Sequence, residues 1–320
     1  MLNSASASSL PSASVAYFGE RGLSGGGSDS TRNTIEYITI ATTGNGTDFG
    51  DLTQARSGCA GMSNGSRGVF TKGNFGTSGS GNTIDYVTIA TTGNAIDFGD
   101  TSVGGDASAA SSDGTRGVIW NGGHSCTQRD DIDYITIATT GNATDFGNAT
   151  MTGSRGGALG NDTRGLCFGG WYCFTSQNHI EYITYSTTGN ATDFGDMLYS
   201  GTTMNGTVSD GTRGVFGGTE YGTSSNWSNF GGMEYVTIAS TGNSVGFGNF
   251  NTGNGDPYGH NGAREPAGCN NETRGCFMGG RPYYSVRNNI DYITISTTGD
   301  ATDFGDCVAT VADNGGLSGD

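Results

Sequence analysis

The residues best equipped for chemistry recur along this chain. Arg67, Arg116, Arg164, Arg213 and Arg274 each precede a glycine and an apolar pair, and Glu36, Asp85, Asp133, Glu181, Glu234 and Asp291 each precede a tyrosine. A catalytic acid, base or nucleophile is needed once per site, whereas these occupy nearly every copy of a repeat. A ring of structural arginine-carboxylate pairs between neighbouring strands or sheets is therefore expected, since the guanidinium fork fits a carboxylate. Asp48, Asp97, Asp145, Asp193 and Asp303 stand before Phe-Gly, with Asp51, Asp100, Asp196 and Asp306 close behind. Such oxygen donors suit calcium at a sheet edge. Turn capping and arginine pairing explain the same recurrence, so no metal is assigned. His124, His179 and His260 fall in different repeats, without the spacing of a Ser-His-Asp triad or a metal site. P-loop, dinucleotide-binding and HExxH motifs are missing from the sequence, so no catalytic residue and no cofactor are assigned.

Seven cysteines occur without CxxC spacing, and packed thiols are the default reading. Cys269 and Cys276 flank an expected hairpin turn, as do Cys167 and Cys173, so oxidation across paired strands stays open. A net charge of −16 and 14 dispersed Lys and Arg exclude nucleic acid as an expected partner. Sixty glycines and 4 prolines call for short strands and many tight turns. Glycine has no three-residue period and aromatics make up 10%, which excludes collagen and argues for a packed core. No apolar run is long enough for a membrane helix, and Met1 to Ser14 carries neither a basic start nor an apolar stretch, so neither a span nor secretory export is expected. Nine N-x-S/T sequons, among them Asn45, Asn142, Asn190 and Asn271, read as by-products of Asn-rich and Thr-rich turns.

The elements that position these residues repeat six times, centred on Tyr37, Tyr86, Tyr134, Tyr182, Tyr235 and Tyr292, at intervals of 49, 48, 48, 53 and 57 residues. Each unit reads as four strands. Small residues such as Ser57 to Gly61 or Ala107 to Ala110 form strand a. Arg-Gly and two apolar residues form strand b. The Ile-Asp/Glu-Tyr-Ile-Thr phrase, rich in β-branched and aromatic residues, forms strand c. Thr-Thr-Gly-Asn then turns into Thr-Asp-Phe-Gly, strand d. Such a sheet is apolar on both faces and must be covered by its neighbours. Residues 1–320 are accordingly expected to form one all-β domain, a six-bladed β-propeller with four antiparallel strands per blade. The ring is expected to close through a blade shared by the N- and C-terminal segments, with strand b at Val15 to Phe18 and the last strand d at Phe304 to Asp306.

The pattern resembles the kelch family: an Arg and small residues in strand a (Ala55-Arg56-Ser57-Gly58), Gly-Gly after strand b (Gly169-Gly170, Gly217-Gly218, Gly279-Gly280) and a Tyr in strand c. It departs from that family in carrying Phe49, Phe98, Phe146, Phe194, Phe247 and Phe304 where Trp is usual, and in lacking Gly-Gly in the first two blades. The near-verbatim phrase from Asp133 to Gly147, repeated from Asp291, resembles repeats of bacteriophage structural proteins, marine and cyanobacterial ones especially. Ser112-Asp113-Gly114-Thr115 echoes the Asp-box of sialidases, but recurrence of its neighbours in every blade argues against a catalytic reading.

Antiparallel alternation places the a-b and c-d turns on one side and the b-c and d-a loops on the other. The first side is uniform. The loop side varies and carries the candidate ligand-binding residues Trp120, His124, Arg129, Trp171, Tyr172, Tyr221, Trp227, Tyr258, Tyr283 and Tyr284. Flat apolar area beside hydrogen-bonding groups suits a sugar or a protein partner. The expected function is non-enzymatic: a virion component of tail, tail tip or capsid surface, assembled in the host cytoplasm, binding host-surface carbohydrate or other virion proteins and open to homo-oligomer formation. The alternatives are a cellular or extracellular lectin-like scaffold and, third, a glycan-cleaving enzyme, which would need unique carboxylates in the central funnel.

Overall fold

The computed structural model describes residues 18–28, 31–75, 81–105, 108–120, 122, 129–154, 156–172, 175–201, 206–223, 226–251, 264–281 and 286–320; the side chains of 201, 219–223 and 226–230 are outside the description. Because strand c carries apolar residues to both faces, as in the buried Ile84 and Val87, each sheet demands a partner on either side. Six four-stranded antiparallel sheets meet that demand as a β-propeller. In the second blade strands a to d are Ala60–Ser63, Arg67–Thr71, Thr83–Thr88 and Ile96–Asp100. The third has Ala109–Ser112, Arg116–Trp120, Asp131–Thr136 and Thr144–Asn148, and the fourth Gly157–Gly160, Arg164–Tyr172, Thr175–Thr184 and Thr192–Gly201. The fifth has Gly206–Ser209, Arg213–Thr223, Asn226–Thr237 and Val245–Asn249, and the sixth Ala267–Asn270, Arg274–Met278, Asn289–Thr294 and Thr302–Asp306. Among the described residues no helix is long and apolar enough to cross a membrane.

The first blade is shared between the two ends of the sequence, but not through the residues expected. Its strand b is Arg21–Gly25, and its strand a is Gly315–Gly319, paired from Arg21↔Gly319 to Gly25↔Gly315. Val15 to Tyr17 lie outside the described residues and Phe18 is in no strand. Arg21-Gly22-Leu23 is the strand b phrase in that blade, with Leu23 fully buried. The closing strand is Gly-rich and lacks the Tyr or Phe markers, so Phe304 to Asp306 stood out as the end instead. Strand a elsewhere starts two or three residues later than expected, at Ala60 and Ala109. Gly26-Gly27 supplies the paired glycines in the first blade. In the second, Lys72 takes the left-handed place of the first glycine (φ 59°), fully buried.

The core is a ring of six separate clusters, one at each joint. Met62, Val69, Ile84 and Phe98 of the second blade, for example, pack on Ala110, Ile119, Ile135 and Ile137 of the third. Strand c tyrosine and strand d phenylalanine meet edge to face in every blade, with centroids 6.0–6.1 Å apart. A polar clasp crosses each joint on the turn side. Gly93 N–H donates to Phe49 O and Asn94 Oδ1 accepts from Asp51 N–H, and the same pair of bonds recurs from Gly141 and Asn142 onto the third sheet's neighbour. The Thr-Gly-Asn turn is thus repeated because it grips the preceding blade, a role beyond the tight hairpin expected of it. The sequon asparagines Asn45, Asn142 and Asn190 all serve this clasp.

Candidate functional site

The six arginines and six carboxylates sit on different jobs, which corrects the ion-pair ring. Arg67, Arg116, Arg164, Arg213 and Arg274, joined by Arg21, lie half-buried on the turn side. Each guanidinium stacks on the tyrosine of its own blade, 4.3–4.5 Å from the ring centre. Each Nη1 donates to a backbone carbonyl of the next blade: Arg21 to Ile89, Arg67 to Ile137, Arg116 to Tyr185, Arg164 to Ala239, Arg213 to Ile295 and Arg274 to Ile40. The carboxylates face the other surface of the strand and cap the link between blades. Asp85 accepts from Thr53 N–H and Oγ1–H, Asp133 from Ser102, Glu181 from Thr150 and Glu234 from Leu198 N–H. Asp85 does form a fully buried ion pair, with Arg56 rather than Arg67. The physical reason is pleating: Val69, not Arg67, lies opposite Tyr86, so arginine and carboxylate point to opposite faces. Burial raises the pKa of Glu36 and Glu234, and raises that of Asp291 to about 7 with help from Asp303. Asp113 of the Asp-box echo caps its own turn, accepting from Thr115 and Arg116 N–H.

The innermost strands line an axial channel of about 140 Å³. Bonds across all six joints tighten its turn-side end: Ser63 to Ser318, Ser112 to Ser63, Tyr185 Oη to Ser111, Ser209 to Gly160, Asn270 Nδ2 to Ser209, and Asn270 N–H to Ser318. Where the fourth blade has Gly160 in place of a polar residue, Tyr185 replaces the usual isoleucine and brings its hydroxyl to the same point. Beside the loop-side end, Arg281 bridges Glu265 and Asp313, holding Asp313 at 2.6 Å. Burial and Asp313 push Glu265 up to about 8 against the pull of Arg281. These are non-repeated carboxylates of the kind a central active site would need, and both are spent on one guanidinium. Cys167, Cys269 and Cys276 are buried, and Cys269 lies directly opposite Cys276, both as free thiols; Cys173 lies outside the described residues.

The loop side divides the candidate binding residues. Trp120 is 0% exposed and packs with Phe146, Ala158 and Cys167 at the joint of the third and fourth blades, so it belongs to the core. Its strand runs one residue further than expected, through Trp120 itself. Arg129 is half-buried, 3.9 Å from Asp131. His124, Tyr258, Tyr283 and Tyr284 lie outside the described residues, as does His260. Trp171, Tyr172, Tyr221 and Trp227 fall on two b-c hairpins that rise from adjacent blades. Strands b and c run 9 and 10 residues in the fourth blade and 11 and 12 in the fifth, against 5 and 6 in the second. Trp171 and Tyr172 are half-buried, and the hairpin is braced by Ser154, whose N–H and Oγ both bond Trp171 O. Tyr221 pairs with Ser228, and Trp227 with Gly222, along the fifth blade's ribbon.

Sequence reasoning missed two residues here. In strand d of the fourth blade the register jumps from His179↔Asp196 to Gln177↔Gly201, so residues 197–200 bulge opposite residue 178 alone. The bulge leaves Leu198 52% and Tyr199 42% exposed between the two blades carrying the hairpins. The available sign was a break in the repeat: Thr53, Ser102 and Thr150 give way to Leu198, as they do to Val308 in the sixth blade, and Ser244 supplies Glu234 with the missing hydroxyl. Comparison of the chain with models of known protein families finds no match, and comparison with curated proteins finds none.

Proposed function

We propose that this propeller is a non-enzymatic attachment module of a virion, on the tail, tail tip or capsid surface, presenting its loop side to host-surface glycan or to another virion protein. The observation that carries the binding part is the break in the repeat at the fourth and fifth blades. The clasp and the arginine bond are copied at all six joints; the capping hydroxyl is exchanged for an exposed apolar residue at both Leu198 and Val308, and at Leu198 this stands beside an exposed tyrosine and two lengthened aromatic hairpins. Apolar side chains held out in water by rigid strands are a usual mark of an interaction surface. The virion part rests on the resemblance of the strand c and d phrase to repeats of phage structural proteins, and the kelch-like placing of glycine and tyrosine describes the same blade. Glycan cleavage is disfavoured because Glu265 and Asp313 are held by Arg281. Gold-labelled antibody against the chain, applied to purified particles, should decorate one fixed position. Decoration of no particle, with the protein recovered from uninfected cells, would overturn the virion assignment. Loss of host-cell binding in Leu198→Ser with Tyr199→Ala tests the face separately.

A further inference from the structure

Resting on that loop-side reading, we infer that the ligand of the fourth- and fifth-blade hairpins is an uncharged saccharide. The chain is 14% charged; residues 165–180, 197–209 and 214–233, which contain both hairpins and the bulge, hold a single formal charge, Glu220, with the exposed Asp196 just before the bulge and the flanking Glu181 and Glu234 buried. The polar groups along them are amides and hydroxyls, such as Ser176, Gln177 and Asn178 beside Trp171 and Tyr172. A pyranose offers one C–H face to stack on an aromatic ring and a rim of hydroxyls that both donate and accept, which amide groups match in both directions. Carboxylate or sulfate on a sugar calls instead for an arginine fork. Six arginines lie on the opposite side of the disc and already stack on tyrosines; of those on the loop side, Arg281 is held by Glu265 and Asp313, and Arg129 is 3.9 Å from Asp131. A net charge of −16 further opposes an anionic ligand. The bracing of the Trp171 hairpin by Ser154 and the bonds of Leu198 N–H to Glu234 and Ser244 fix the aromatic positions before binding, which lowers the ordering cost.

The test probes the full chain on an array of neutral, sialylated, uronate-bearing and sulfated glycans, at about 50 mM and about 500 mM salt, because screening acts only on charged contacts. Tyr199→Ala and Gln177→Glu are run beside the parent, with thermal unfolding to confirm that each folds. Expected are binding to neutral glycans that changes less than about twofold with salt, and a loss of about tenfold or more in Tyr199→Ala. Binding confined to acidic glycans, or falling steeply with salt while still lost in Tyr199→Ala, overturns the neutral class and leaves the loop-side site standing. Binding indifferent to both substitutions in folded protein overturns the site itself. An array that stays blank overturns the saccharide, and a virion protein retained by the parent but not by Tyr199→Ala would then show that the face survives with a protein partner.

Discussion

Each arginine at the head of strand b does three things at once: it starts the strand, covers a tyrosine face, and bonds a carbonyl of the next blade. Replacing Arg67 by Gln removes the stacked cation and the charged donor to Ile137 O. With the group half in water, we expect a loss of about 1–2 kcal/mol in urea unfolding. Arg67→Lys should recover only part, because an ammonium cannot both lie flat on Tyr86 and reach the carbonyl. At the opposite surface of strand c, Asp291 is held protonated to about pH 7 against an ordinary value of 3.8. The folded state therefore binds a proton that the unfolded chain has released. Stability from this group is complete below about pH 4 and is lost as pH rises through about 7. Glu36 and Glu234, also raised, act in the same sense. The urea midpoint should be higher at about pH 5 than at about pH 8, and Asp291→Asn should narrow that gap. An unchanged gap would mean that Asp291 is not the group responsible.

Between residues and ring stands the clasp, in which the c-d turn of one blade lies on strand d of the one before. Gly305 adopts φ 151° and a Cβ there would collide with the carbonyl of Gly44, whereas a Cβ on Gly44 meets nothing within 4 Å. Gly305→Ala should cost about 1–3 kcal/mol, and Gly44→Ala less than about 1, as read from thermal unfolding. Equal effects would mean that the contact does not carry the glycine. The clasp also explains what the sequence disclosed. The Tyr37 to Asp51 phrase was legible because every joint makes the same contacts and so repeats the same letters. The arginine partners were misread because a carboxylate was sought for each guanidinium, while the true acceptors, such as Ile137 O for Arg67, are backbone carbonyls that leave no mark in residue type. Trp120 was misplaced because an aromatic before a loop looks the same whether it turns inward to Phe146 or outward. Leu198 and Tyr199 were invisible because no local pattern announces a four-residue bulge; the same bulge in the first blade, at residues 52–55, keeps its capping Thr53, so the missing Thr or Ser at 198 was a separate sign.

At the scale of the whole molecule there is no central core to hold the blades, only small residues around a narrow channel and six apolar joints in a circle. A blade therefore depends on both neighbours, and the ring on its closing strand. Gly315–Gly319 completes the first sheet, puts Leu317 into the cluster with Leu23, Phe70 and Ile89, and inserts Gly316 between Gly61 and Gly268. Asp320 Oδ1 receives Glu20 N–H, and Asn314 bonds Ser24, locking the two ends of the sequence together. Removing residues 315–320 should thus do more than fray one edge, since it strips the inner strand from two joints at once. We expect the shortened chain to lose its single cooperative transition in circular dichroism and to aggregate through the exposed edge of Arg21–Gly25. A synthetic peptide spanning 311–320, added in trans, should restore the transition in a concentration-dependent way, because it binds only the folded ring. If the shortened chain instead unfolds cooperatively with nearly the parent's midpoint, the blades are stable as an open arc, and mutual support around a closed circle is not what holds this protein together.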